Sequence, residues 1–184
     1  MRAVVGLGNP GPEYAATRHN AGFLLADAVA AHWQLPPFRR AERARATEGS
    51  VAGVPVRVLK PTTFMNRSGA ALASLRADPA FTPARDLLIL VDDFQIPLGT
   101  FRFRPDGSAG GHNGLKSIEA ALQSQQYARL RIGVGPLPEG IGDWADYVLN
   151  PFAPEELEQV QGLMPQMIET INKWLRSTAV PVSG

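Results

Sequence analysis

The segment DLLILVDDF, residues 86–94, carries five consecutive aliphatic side chains closed off by two acids. A run this short and this apolar suits a strand that is buried by its own composition. It predicts a central strand over residues 86–91 that ends at Asp92 and Asp93. Acids placed there are costly unless something pairs with them, so the pair is a candidate for chemistry.

Strand-like and helix-like segments alternate along the chain. Residues 2–7 form an apolar run ending in Gly and read as a buried first strand. After a Gly/Pro loop, residues 21–33 show helical spacing that stops before Pro36 and Pro37. Residues 43–51 and 55–59 look like strands flanking a turn at Gly53, and 68–76 like a second helix. Residues 100–104 and 129–134 alternate as strands do, and a tight loop at 107–111 leads into a helix over 115–122. A short helix over 143–149 and a long one over 155–177 follow, the latter with Pro165 where it could kink. The interleaving predicts one α/β domain with a mixed sheet over residues 1–184. Asn9 and Asp92 then fall at or just past strand ends, where α/β proteins place their sites.

The chain has no Cys, which removes disulfides, thiolate nucleophiles and Cys-ligated zinc and fits a reducing compartment. The first residues lack the apolar core of a signal peptide, and no stretch approaches the roughly 20 apolar residues of a membrane span. A cytoplasmic protein with no membrane partner is the expectation. Net charge is only +1, but its distribution is uneven, with +6 over residues 1–138 and −5 over 139–184. Of the 18 basic residues 15 are Arg, the side chain that forks onto phosphate, so a basic body could steer a polyanion to one face. Genome composition would explain the same Arg usage.

Gly6, Gly8 and Gly11 match the dinucleotide fingerprint after a predicted strand. Such a site also needs a helix opening on the third Gly and an acid ending a second strand about 20 residues on. Here Pro12 and a polar stretch follow, and the nearest acid on that side, Asp27, lies within the predicted helix. The glycines are better explained by a tight turn that presents Asn9.

Four segments hold polar residues that a structural role explains poorly. In TRHNAGF, His19 lies at a loop-to-helix junction, with Asn20 as a plausible N-cap. In KPTTFMNRSG, capping and ligand contact compete for Asn66, while Phe64 and Met65 would be core by default. In LLILVDDF, an Asp that orients a His is a simpler use than a metal site, for which the spacing supplies too few ligands. In GSAGGHNGLKS, Asn113 opens a helix whose N-terminus favours anionic groups, and His112 reads as structural. Without Cys, a G-x-S-x-G elbow or an obvious metal, the economical scheme is direct attack by water. A His acts as general base, an Asp holds it, and Asn amides support the oxyanion. That suits an activated ester better than a peptide bond.

The blocks VVGLGNPGPEYAATRHNAGF, KPTTFMNRSG, VDDFQIPLG with GSAGGHNGLKS, and RLRIGVGP resemble, in order and spacing, the signatures of the bacterial-type peptidyl-tRNA hydrolase family. The resemblance covers most of residues 2–136. It implies one α/β domain with a twisted mixed sheet and helices on both faces, monomeric and without cofactor or metal. It implies hydrolysis of the ester joining a peptide to the 3′ end of tRNA, with His19 as general base and Asp92 stabilising its protonated form. Asn9 would distinguish N-blocked peptidyl-tRNA from free aminoacyl-tRNA, and Tyr14, Phe64, Asn66 and Asn113 match substrate-contacting positions. Arg104 and Arg131 align with basic positions that hold tRNA phosphates. Residues 137–152 would form a lid-like segment and 154–178 a C-terminal helix. Val91 and Gln95 depart from the family pattern, as does the acidic stretch after Pro136. A non-catalytic RNA-binding module on the same fold is the competing reading; it would be expected to show damaged catalytic positions, and none is seen.

Overall fold

The computed structural model describes residues 1–140 and 142–177. Seven strands form one mixed sheet: β1 (Arg2–Gly6), β2 (Arg39–Ala41), β3 (Ala44–Val51), β4 (Val54–Pro61), β5 (Leu87–Pro97), β6 (Phe101–Arg104) and β7 (Ala128–Gly135), in the order β2-β3-β4-β1-β5-β7-β6. The inner pairings β4–β1, β1–β5 and β5–β7 are parallel, and the outer ones antiparallel. The helices are α1 (Ala21–His32), the single-turn α2 (Ala73–Arg76) and α3 (Pro83–Asp86), α4 (Asn113–Leu122), α5 (Trp144–Leu149) and α6 (Pro154–Arg176).

The aliphatic run in β5 is continuous because both of its faces are covered. Leu88 and Leu90 pack with Leu25 and Val29 of α1 and Met167 and Ile171 of α6. Leu87, Ile89 and Val91 pack on the other face with Leu72, Leu75, Leu115 and Ile118. Full burial of each such side chain contributes about 1.5–3 kcal/mol, so the sheet centre carries much of the stability. Among the described residues no helix is long and apolar enough to cross a membrane.

The expected elements are present, with four differences. First, β5 does not end at the two acids but runs on to Pro97. Its pairing with β1 stops at Gly6↔Leu90, whereas β7 continues opposite Asp92 and Asp93, so β5 is extended by one neighbour only. Asp92 therefore lies within a strand, just past the end of β1. Second, the helix expected from residue 68 begins earlier, as a 3-10 stretch over Met65–Leu72 with a non-helical Arg67. Ser68 Oγ donates to Met65 O at 2.7 Å within the stretch, and Gly69 N–H donates to Ser117 Oγ at 2.9 Å, which ties it to α4. Third, β2 is a short edge strand without a sequence signature. Fourth, α6 runs unbroken through Pro165. The last residue expected in that helix, Thr178, lies outside the described residues.

The three glycines of the first loop have separate physical reasons. A Cβ on Gly6 would collide with Gly22 O of α1, and one on Gly8 would lie 2.8 Å from the Phe23 ring. Only Gly11 has a positive φ, at 108°. Two of the three thus serve the close approach of α1 to β1, and only one the turn.

Candidate active site

The loop after β1, the turn before α1, the start of the 3-10 stretch Met65–Leu72, the start of α4 and the helix α5 converge on one cleft of about 200 Å³. His19 lies in a 3-10 turn, Arg18–Asn20, directly before α1 and is buried, with 6% of its surface exposed. Its Nδ1 donates to Asp92 Oδ2 at 2.8 Å. That bond leaves Nε2 as the free lone pair of the neutral ring, on a side chain that lines the cleft.

Asp92 is 2% exposed and holds a second imidazole, His112, whose Nε2 lies 2.9 Å from Oδ1. Burial pushes the Asp92 carboxyl up, but the two imidazoles facing it outweigh this and hold it well below the usual carboxylate range. The acid is thus a buried anion with both oxygens engaged. His112 also caps α4, its Nδ1 accepting from the N–H groups of Gly114 and Leu115 at 3.0 and 3.3 Å. A ring whose Nδ1 accepts must carry its proton on Nε2, so the tautomer of His112 is fixed and its Nε2–H donates to Asp92.

His19, Asp92 and His112 place three possible ligand atoms within 4.8 Å, a cluster that sequence spacing did not disclose. The tautomer argues against a metal: to use Nε2, His112 would have to become an imidazolate or break its helix cap. The donor set fits a proton relay better than a cation.

Asn9 is held from both sides. Asn20 Oδ1 accepts from Asn9 N–H at 2.8 Å and Asn20 Nδ2 donates to Asn9 O at 3.0 Å. Contrary to the expectation from sequence, the Asn20 side chain makes no capping bond to α1, because the Asn9 backbone occupies it. Asn9 Oδ1 in turn accepts from Met65 N–H at 2.8 Å, which fixes the amide orientation and leaves Nδ2 as the donor available to a ligand.

Asn66 and Asn113 line the cleft, are exposed, and have no protein partner for their amides among the described residues. Asn66 makes no cap. Phe64, expected in the core by default, is instead 59% exposed at the cleft, while Met65 beside it is buried, because the chain leaves β4 with the intervening backbone tied to Asn9. Trp144, Val148 and Leu149 of α5 form the opposite wall, and the Trp144 ring stacks on Phe94 at 5.6 Å between centroids. The sequence reading placed a helix here, within the 137–152 segment that the resemblance implies is lid-like, but singled out none of these three side chains.

The remaining expected residues are less centrally placed. Tyr14 is half-buried in the 3-10 turn Pro12–Tyr14 and is not among the residues lining the cleft. Arg104 is exposed on the edge strand β6, opposite Arg129 and three residues along from the Phe101–Ile132 pair at the level of Asp92. Arg131 lies beside Asp92 and Trp144, but its guanidinium is already engaged by Asp93 Oδ2 at 3.5 Å and Ser108 O at 2.7 Å.

Comparison with known proteins bears on the same geometry. A sequence profile described as peptidyl-tRNA hydrolase matches residues 3–182. A peptidyl-tRNA hydrolase of Gemmatimonas aurantiaca is 45% identical over 177 residues, covering 95% of this chain and 93% of its own. One from Gloeobacter violaceus is 45% identical over 174 residues, covering 93% and 86%. The crystal structure of peptidyl-tRNA hydrolase from Acinetobacter baumannii superposes with a TM-score of 0.87 at 31% identity, covering 96% of this chain and 89% of that one. A profile spanning nearly the whole chain, relatives of matching length and a shared fold place this chain in the peptidyl-tRNA hydrolase family.

Proposed function

We propose that the chain hydrolyses the ester between a peptide, or an N-blocked amino acid, and the 3′ end of tRNA, recycling the tRNA. The observation that carries the reading is His19, which lines the cleft with its Nδ1 locked onto a buried carboxylate and its Nε2 without a hydrogen-bond partner among the described residues. His19 Nε2 takes a proton from water as the water oxygen bonds to the ester carbon. The imidazolium that forms is stabilised by Asp92, which stays ionised. Collapse of the tetrahedral intermediate breaks the bond to the ribose oxygen, and the proton passes from Nε2 to that leaving oxygen.

Asn9 Nδ2 and the Asn113 amide, at the N-terminus of α4, support the oxyanion, and Asn66 and Phe64 hold the peptide side. A free α-ammonium would bring a charge next to donors aimed at neutral amide groups, which favours N-blocked substrates. Tyr14 contributes from the rim, and Arg104 and Arg131 meet tRNA phosphate. The chain acts as one domain over residues 1–184, as a monomer in the cytoplasm, with the 137–152 stretch as a lid-like segment and no cofactor required.

His19→Ala tests the reading. Turnover of N-blocked aminoacyl-tRNA is expected to fall by roughly 10²–10⁴ with substrate binding retained. Unchanged turnover would remove the mechanism.

A further inference from the structure

We infer that Arg18 is a positioning residue that pins the α5 wall of the cleft to the turn carrying His19, and so sets the affinity for the acyl part of the substrate. That role rests on the hydrolysis proposed at His19, whereas the contacts that suggest it do not.

The helix α5 is six residues long, too short to be stable by itself, so contacts outside it must set its place. Three of its side chains, Trp144, Val148 and Leu149, line the cleft. Leu149 is 41% exposed, and with Met1 and Phe64 it makes up the exposed large apolar side chains among the described residues. Phe64 and Leu149 line the same cleft. Two such residues on one small cleft mark a seat for an apolar group of the ligand. A wall of this kind selects its ligand only if it is held at a fixed distance from the base.

The residue next to the base holds it. Arg18 N–H donates to Asn150 O at 3.1 Å and Phe152 N–H to Ala16 O at 3.0 Å, with an isolated antiparallel bridge between Thr17 and Pro151. The backbone leaving α5 thus runs alongside the segment that enters the His19 turn. The Arg18 side chain adds a second tie. Its guanidinium lies 4.2 Å from the centroid of the Tyr147 ring. Nη1 donates to Tyr147 O at 3.0 Å in the last turn of α5, and Nη2 to Glu156 Oε1 at 2.9 Å in the first turn of α6. The same Glu156 oxygen accepts from Ala153 N–H at 2.8 Å. A planar fork can reach a carbonyl and a carboxylate at once, and its charge suits the negative end of α5. The two side chains are 12% and 23% exposed, so solvent screens this pair less than a surface one. On its other side α5 is tied to β7, where Tyr147 Oη donates to Val134 O at 2.6 Å. His19, by contrast, is held by Asp92. Loss of the Arg18 fork therefore displaces the wall and leaves the base in place.

The test is Arg18→Gln, with Arg18→Lys as the conservative variant. For N-blocked aminoacyl-tRNA, KM of R18Q is expected to rise about tenfold, the scale of one lost apolar contact in a pocket, while kcat stays near the wild-type value. R18K recovers part of the loss. The affinity of R18Q for deacylated tRNA stays as in the wild type, since the wall meets only the acyl part. The amide of Asn150, which donates to Tyr147 O, exchanges with deuterium faster than in the wild type, a readout independent of activity. An unchanged KM, with or without the fall in kcat that loss of folded enzyme would give, overturns the inference. So does an equal loss of affinity for deacylated tRNA, which would make Arg18 an RNA contact. Absence of turnover in the wild type would instead sink the proposed function, while the exchange measurement would still judge the anchor. Glu156→Gln, verified folded by its thermal melt, supplies the second arm: it keeps an acceptor for Ala153 N–H but removes the charge facing Nη2. It is expected to raise KM by less than R18Q does, and unaltered KM overturns the inference as well.

Discussion

Asn20 clasps the backbone of Asn9 with both ends of its amide, accepting from Asn9 N–H at 2.8 Å and donating to Asn9 O at 3.0 Å. Because Asn20 is the first residue after His19, this clasp fixes the spacing between the base and the residue proposed to face the ester.

Asn20→Asp replaces the donating end by a second acceptor pointed at the Asn9 carbonyl. Leaving buried polar groups unpaired costs about 1–3 kcal/mol, so urea unfolding should show a loss of that order. Turnover should fall with it as Asn9 loosens. A variant with wild-type stability and rate would show that the clasp holds nothing that matters.

Asp92 links stability to acid. Its folded pKa lies below its unfolded value of about 3.9, because two imidazoles outweigh the effect of burial. A depressed carboxylate contributes stability that is complete above the unfolded value and is lost as pH falls toward the folded one. The stability gap between wild type and Asp92→Asn, measured by urea unfolding from pH 7 down to pH 3, should therefore be constant near neutrality and narrow below about pH 5. A gap that is flat across the whole range contradicts the assignment.

Gly22→Ala should damage fold and activity together. Its Cβ would lie 2.6 Å from Leu7 O and would collide with Leu90 O, both backbone atoms that cannot swing away. Overpacking of this kind costs about 1–3 kcal/mol or more, and relief requires α1, with His19 at its start, to move. A lowered melting temperature with reduced turnover is the expected pair of results.

Chelation should leave activity alone. His112 Nε2 keeps its proton because Nδ1 accepts two backbone bonds, so the His19–Asp92–His112 cluster is unsuited to a cation. Turnover in EDTA should equal that in buffer. A loss restored by a divalent metal would overturn the tautomer argument.

Much of the fold was legible in the sequence. The aliphatic run of β5 needs cover on both sides, and the alternation of periods two and 3.6 supplies strands and helices in turn. His19, Asp92, Asn9 and Asn113 stood out as polar residues at strand ends and helix starts, whereas capping and ligand contact competed for Asn66, and the roles of all five came from the family resemblance. Phe64 was misjudged on its own chemistry, since hydrophobicity alone does not say which side of a turn a ring faces. The sequence could not disclose that Asn20 clasps Asn9, that His112 shares Asp92 with His19, or that Arg18 reaches Tyr147 and Glu156. Those contacts join residues 11 to 138 positions apart. Local propensity carries no information across such separations. Only the order of strands in the sheet, which stops β1 beside Leu90 and lets β5 run on, decides that these side chains meet.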